Sequence, residues 1–240
     1  MLRQAVTPGR VCEDEVLDAL RGVVDPELDE PIVGLGFVHR VEVQNMPSGA
    51  RVRVVLRLPT YWCAPNFSWL MAADVRDALL AHHGIAEAEV VLADHHASYE
   101  ISNGVTAGRS FGEVFDTNGG RELGDLRELF RRKAFLVRQE QLVRWLGQAA
   151  ARAGRLAPAL DELTLADLPD GPRTRAYLDV REKLGLDCSP EAPVISDAAG
   201  RPVSDLDGHL RRARLMRVTM EGNGAMCRSL LATRYGKGST

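Results

Sequence analysis

The stretch Arg51–Leu58 restricts the fold more than any other part of this chain. Val52, Val54, Leu56 and Leu58 alternate with Arg51, Arg53 and Arg57, so a strand here turns one face to a core and the other to water. Such a strand needs neighbours beside it and a layer over its apolar face. Both are legible nearby. Pro47-Ser48-Gly49 supplies a hairpin turn, and Phe37–Val43 the strand in front of it. After the strand, Leu58-Pro59-Thr60-Tyr61-Trp62-Cys63-Ala64-Pro65 ends the alternation. A helical pattern then begins, with Phe67, Leu70, Met71, Val75, Ala78 and Leu79 on one side and His82-His83-Gly84 at its close. Ala88–Leu92 reads as a third strand.

Ahead of this block, residues 1–10 read as a loose arm. From Glu13 a helix shows its face in Val16, Leu17, Leu20 and Val23, and Asp25-Pro26 ends it because the residue before proline leaves the α region. The order helix–strand–strand–helix–strand is that of an α+β fold, a small α-β-β-α-β N-terminal domain over residues 12–104. The remainder, 105–240, reads as mainly helical. Ser102-Asn103-Gly104 and Thr117–Gly120 look like turns. Leu123, Leu126, Leu129 and Phe130, then Leu142, Val143 and Leu146, mark one long helix or two abutting ones. Further helices are predicted over Leu156–Leu168, Arg173–Leu184, Asp205–Met220 and Ala225–Tyr235. A loop is expected over Cys188–Val203, with a small hairpin at Ala198–Gly200.

Composition removes several function classes. Across 240 residues, 45% hydrophobic and 26% charged, the net charge is −3, so no global basic field points to nucleic acid. No apolar run reaches membrane-spanning length, and the first residues lack the apolar core of a secretory signal. The expectation is a cytoplasmic protein with no membrane and no nucleic-acid partner. Cys12, Cys63, Cys188 and Cys227 are scattered, without a CxxC pair, which fits reduced thiols rather than a disulfide framework or a zinc finger.

Two cysteines occupy positions with chemical meaning. Pro65 suits the first turn of a helix, which sets Cys63 at or just before a helix N-terminus, where free N–H groups and the dipole favour a thiolate. Glu221-Gly222-Asn223-Gly224-Ala225-Met226-Cys227 repeats that logic, a glycine-rich turn leading Cys227 into the first turn of a helix. Against both stands the reading of a cysteine as a small buried hydrophobe. Asp25 and Glu27 offer hard oxygen ligands or cap backbone N–H groups. His82-His83 and His95-His96 lack a spacing that shares a metal and read as surface histidines, His95 being the outside candidate. Cys12 and Cys188 read as incidental, and Arg131–Lys133 as a solvated basic face.

The segment Asp25–Val38, with Asp25-Pro26-Glu27 followed by Ile32-Val33-Gly34-Leu35-Gly36, then Leu58-Pro59-Thr60 and Cys63-Ala64-Pro65, resembles the SufT/PaaD-like family of iron–sulfur cluster assembly factors. The likeness spans roughly residues 12–95. Two positions differ: Gly34 stands where the family usually has an acidic residue, and Ala64 separates Cys63 from Pro65. The resemblance implies maturation, with iron or an iron–sulfur cluster carried transiently and delivered to a client apo-enzyme, for example a multicomponent oxygenase, or to other assembly proteins. It also implies that Cys63 is the functional cysteine, with Asp25 and Glu27 as signature residues. One thiolate does not hold a cluster that needs about four ligands. Cys63 therefore calls for a partner, a homodimer mate or Cys227 as second metal ligand, with Thr60, Glu221 and Asn223 in support. Two rival readings are a thiol enzyme with Cys63 or Cys227 as nucleophile and a metal-free client adaptor.

Overall fold

The computed structural model describes residues 10–116, 119–154, 156 and 159–236. The expected arm, and Thr117 and Asn118 of the expected turn, lie outside these, except for Arg10 at the arm's end. The chain divides into two compact units. One runs to Gly124 and resumes at Gly222; the other is Asp125–Glu221.

The first unit begins with α1 (Glu13–Leu20), which buries Val16 and Leu20. Two-residue strands β1 (Val24–Asp25) and β2 (Glu30–Pro31) pair antiparallel across the carboxylate loop. Then come β3 (Val38–Gln44), β4 (Ala50–Arg57), α2 (Pro65–Ala81) and β5 (Ile85–Ala93). The sheet order is β3-β4-β5, with β3 antiparallel and β5 parallel to β4. A parallel neighbour needs a crossover, and α2 is that crossover.

The period-2 pattern does what its chemistry requires. Val52, Val54 and Leu56 are buried, while Arg53 on the opposite face pairs with Glu42 and Glu89 of the flanking strands. Val75 and Leu79 of α2 join the core beneath the sheet. Gly49 closes the β3–β4 turn at φ +116, a conformation open to glycine. The α+β fold expected for this region is the one observed.

Helix α3 (Ser98–Thr106) replaces the turn expected at Ser102–Gly104. Gly104 is there for closeness rather than for bending: a Cβ would meet the Trp69 ring at 2.6 Å. Phe111 and Phe115 of α4 (Phe111–Phe115) stand edge-on to the same ring.

Helices α5 (Gly119–Arg152), α6 (Pro172–Lys183) and α7 (Leu206–Tyr235) make the rest of the chain mainly helical, as expected. Some details differ from expectation. The described part of 156–168 holds turns and a 3₁₀ segment at Leu165–Asp167 in place of a helix. The two helices expected over 205–235 are one, since glycines at 222 and 224 cost the helix about 1 kcal/mol each and packing overrides that. Ala198–Gly200 forms a tight turn closed by Asp197 and Arg201 rather than a strand hairpin.

In the second unit Phe135, Leu142, Tyr177, Val180 and Val194 form a core of their own. Inside it Gln139 Nε2 donates to Tyr177 Oη at 3.0 Å, and Gln139 Oε1 accepts from His209 Nε2 at 2.6 Å. The buried Arg181 guanidinium donates to Pro193 O and Asp187 O. Those bonds hold the irregular segment after Gly185 in one conformation.

Candidate functional site: the Cys63 end of the first unit

The loop between β4 and α2 carries Cys63. Ala64 is the N-cap of α2 and has no side-chain cap, and Pro65 occupies the first turn. Cys63 therefore sits immediately before an uncapped helix start, the position that Pro65 implied. Its sulfur lies 3.3 Å from Thr60 Oγ1. The thiol is free, as are those of Cys12, Cys188 and Cys227; Cys63 and Cys227 are half-buried, Cys12 and Cys188 exposed.

The backbone of Cys63 is held by His95. This histidine is buried, not a surface residue as its sequence context suggests. Its Nδ1 accepts the Ala97 N–H at 3.1 Å, which leaves the proton on Nε2. That proton is donated to the Cys63 carbonyl at 2.7 Å, with Ser68 Oγ also 3.3 Å from Nε2. Burial pushes the His95 pKa down, which keeps the ring in this neutral tautomer. The bond goes to the carbonyl of Cys63 and not to its sulfur, so the histidine orients the loop and does not act as a base on the thiol. The side chain bonded to the sulfur is a threonine hydroxyl. The neighbouring His96 is exposed; its ring stacks on His95 at 4.5 Å and on Trp62 at 5.4 Å.

The carboxylate loop is built around Asp25. Its Oδ1 accepts the N–H groups of Glu27 at 2.8 Å and Leu28 at 3.0 Å, the local capping geometry that aspartate favours. Asp25 is buried, and desolvation pushes its pKa up to about 6, with Glu27 and Glu30 adding to the rise against the two backbone bonds. Glu27 stays exposed.

The last turns of α7 belong to this unit. Cys227 lies in mid-helix, so the first-turn environment expected for it does not exist, and its thiol gains nothing from a helix dipole. It is half-buried, and burial pushes its pKa up to about 11, with Asp25, Cys63 and Glu27 next in influence. The acidic groups that act on Cys227 are thus Asp25, Cys63 and Glu27, all of them in the first unit. Both sulfurs also pack against the same core. Arg228 pairs with Glu30 of the carboxylate loop. Arg234 donates to the carbonyls of Leu58 at 3.2 Å and Asp94 at 2.6 Å, the chain exits of β4 and β5. Leu231 reaches Gly36, whose φ of +76 and missing Cβ admit the leucine methyl.

The other two expected supporting residues are helical rather than in a turn. Glu221 accepts from Arg217 Nη1 at 2.7 Å inside the second unit, and Asn223 is half-buried within α7. Sequence reasoning misses His95 as a positioning group and Arg234 altogether. The Asp94-His95-His96 run is visible, but nothing in it marks which histidine turns inward. Among the described residues, no three His, Cys, Asp or Glu side chains come together as a ready-made metal ligand set.

Residues 13–91 match the family model described as iron–sulfur cluster assembly protein. The match lies within the first unit and takes in Asp25, Glu27, Thr60 and Cys63 but stops short of Cys227. No curated protein and no solved structure matches the chain. Among the described residues, no helix is long and apolar enough to cross a membrane.

Proposed function

We propose that this protein is a maturation factor that carries iron or an iron–sulfur cluster as cargo, holds it on the Cys63 thiolate, and passes it to a client apo-enzyme. The observation that carries this reading is the neighbourhood of Cys63. Asp25, Glu27 and Cys63 act there on Cys227, and burial makes Asp25 and Cys227 harder to ionise. Cys227 keeps a proton at neutral pH that a cation displaces, so loading through that thiol is coupled to proton release. Thiolates suit iron and cluster chemistry, and a carboxylate adds a harder donor.

Cys63 is the primary donor, Cys227 the second, and Asp25 with Glu27 supplies negative charge. Thr60 hydrogen-bonds the Cys63 sulfur and His95 fixes its backbone. Fewer than three ready ligands leaves coordination to be completed by the cargo's own sulfide, by water or by the client, and incomplete ligation favours handover. The helical region beyond the assembly domain is the part we assign to client or partner binding, with a multicomponent oxygenase as the client class implied by the family resemblance.

The test is anaerobic loading with iron and sulfide, followed by transfer to an apo-ferredoxin acceptor. Cys63→Ser is expected to cut transfer roughly tenfold or more, and Cys227→Ser less severely. Wild-type transfer by the Cys63→Ser protein sinks the reading.

A further inference from the structure

We propose that the last turns of α7, residues 222–236, are a releasable latch over the Cys63 end of the first unit, with Arg234 as its catch. The proposal rests on the reading of Cys63 as the cargo thiol.

The contacts of this segment are those of a docked piece rather than a core element. Its strongest anchors are polar. Arg234 grips the Leu58 and Asp94 carbonyls from one guanidinium, and its neighbour Tyr235 lies under Arg57, 4.6 Å from that guanidinium carbon. At the other end Arg228 meets Glu30, both partly exposed. Between them the apolar contribution comes from Leu231 and Cys227, each half-buried, while Met226 and Leu230 face outward. A segment held by hydrogen bonds at its ends and by little buried apolar area opens at low cost.

Its start is built to bend. Gly222 has nothing within 4 Å of where a Cβ would stand, so no packing demands a glycine there. Gly222 and Gly224 together lower the helix propensity at the point where the segment begins. Gly224 has a further reason: a Cβ would strike Glu30 Oε1 at 2.6 Å, against the Arg228 pair.

Release changes the site in two ways at once. It uncovers the loop that carries Cys63, together with the two carbonyls Arg234 had occupied. It also withdraws Cys227, so a bound cargo loses a donor at the moment its face becomes accessible to a client. A carrier that drops one ligand as it opens transfers more readily than one whose ligand set is fixed.

The test needs no metal. In a Cys12→Ser/Cys188→Ser background, the full chain is treated with N-ethylmaleimide, and modification of Cys63 is timed by mass spectrometry beside amide hydrogen exchange. Arg234→Ala is expected to speed Cys63 modification about fivefold or more, the scale set by losing two hydrogen bonds in a local opening equilibrium. Exchange should quicken over 222–236 and stay unchanged in β3, β4 and β5, with Arg234→Lys intermediate. Arg228→Glu, at the opposite anchor and exposed, should act in the same direction. An unchanged Cys63 rate in Arg234→Ala overturns the latch. So does loss of strand protection along with the segment in both variants, which makes the segment part of the core. Failure of the cargo reading shows separately, as full transfer by Cys63→Ser, and leaves these rates untouched.

Discussion

Asp25 carries the sharpest residue-scale consequence. Its pKa is raised from 3.8 to about 6 in the folded protein. Between those values the native state holds a proton that the unfolded chain has released, so stability falls as pH rises from about 4 to 6. The loss is at most about 3 kcal/mol, since each tenfold change in an ionisation constant is worth about 1.36 kcal/mol. Asp25→Asn keeps an acceptor for the Glu27 and Leu28 N–H groups and removes the ionisation. Urea unfolding should therefore find this variant more stable than wild type at pH 7.5 and indistinguishable near pH 4, with weaker iron loading. A variant equally stable at both pH values, relative to wild type, would show that Asp25 ionises freely. His95 works through the opposite shift. Its pKa is depressed, so its contribution is present above about 6.5, the ordinary histidine value, and lost as pH falls below it. His95→Ala leaves the Ala97 N–H and the Cys63 carbonyl without their buried partner, at about 1–3 kcal/mol. His95→Gln retains a donor near the Nε2 position. We expect it to recover part of that stability and to hold the maleimide reactivity of Cys63 closer to wild type than His95→Ala does, where a merely space-filling histidine would give no such difference.

At the scale of elements, what is legible in the sequence follows from strict periodicity and from proline. The alternation over Arg51–Leu58 admits one reading, and β4 (Ala50–Arg57) is where it points. Pro65 marks the start of α2 because a first-turn proline forfeits no helical bond. β1 and β2 are not legible, because two residues each are too short for a period. The pattern divides α7 because Gly222, Asn223 and Gly224 carry turn chemistry locally, whereas the continuous helix is decided by contacts distant in sequence, with Glu30 and Gly36. The burial of His95 is hidden for the same kind of reason, since its partners at Cys63 and Ser68 come from other elements. The two glycines of α7 separate these causes. Gly222→Ala should stabilise the first unit by about 0.5–1 kcal/mol, through helix propensity in open space. Gly224→Ala should gain nothing, because its methyl displaces Glu30 from Arg228. Thermal unfolding of the two variants side by side checks this, and equal gains would mean that Glu30 yields freely. Gly104→Ala has no open space at all; contact with the Trp69 ring and Val114 should cost about 1–3 kcal/mol by overpacking.

For the molecule as a whole, the division into two units puts the proposed cargo residues in one and a separate buried polar network in the other. Cys63, Cys227, Asp25 and Glu27 all lie in the first unit, although the whole second unit intervenes in the chain between Cys63 and Cys227. The second unit holds its own ion pair: Arg217 Nε donates to Glu140 at 2.7 Å with both side chains more than nine-tenths buried. A buried pair contributes little net stability against apolar replacements, but removing one partner leaves a desolvated charge and costs about 3–5 kcal/mol. Arg217→Met does this to Glu140. If the units have separate cores, amide exchange in that variant should quicken across α6 and the Arg181-bound loop while β3, β4 and β5 keep their protection and the maleimide rate of Cys63 stays at its wild-type value. Coupled loss of protection in the strands would instead make the chain one cooperative body, in which damage remote from Cys63 is felt at the thiol.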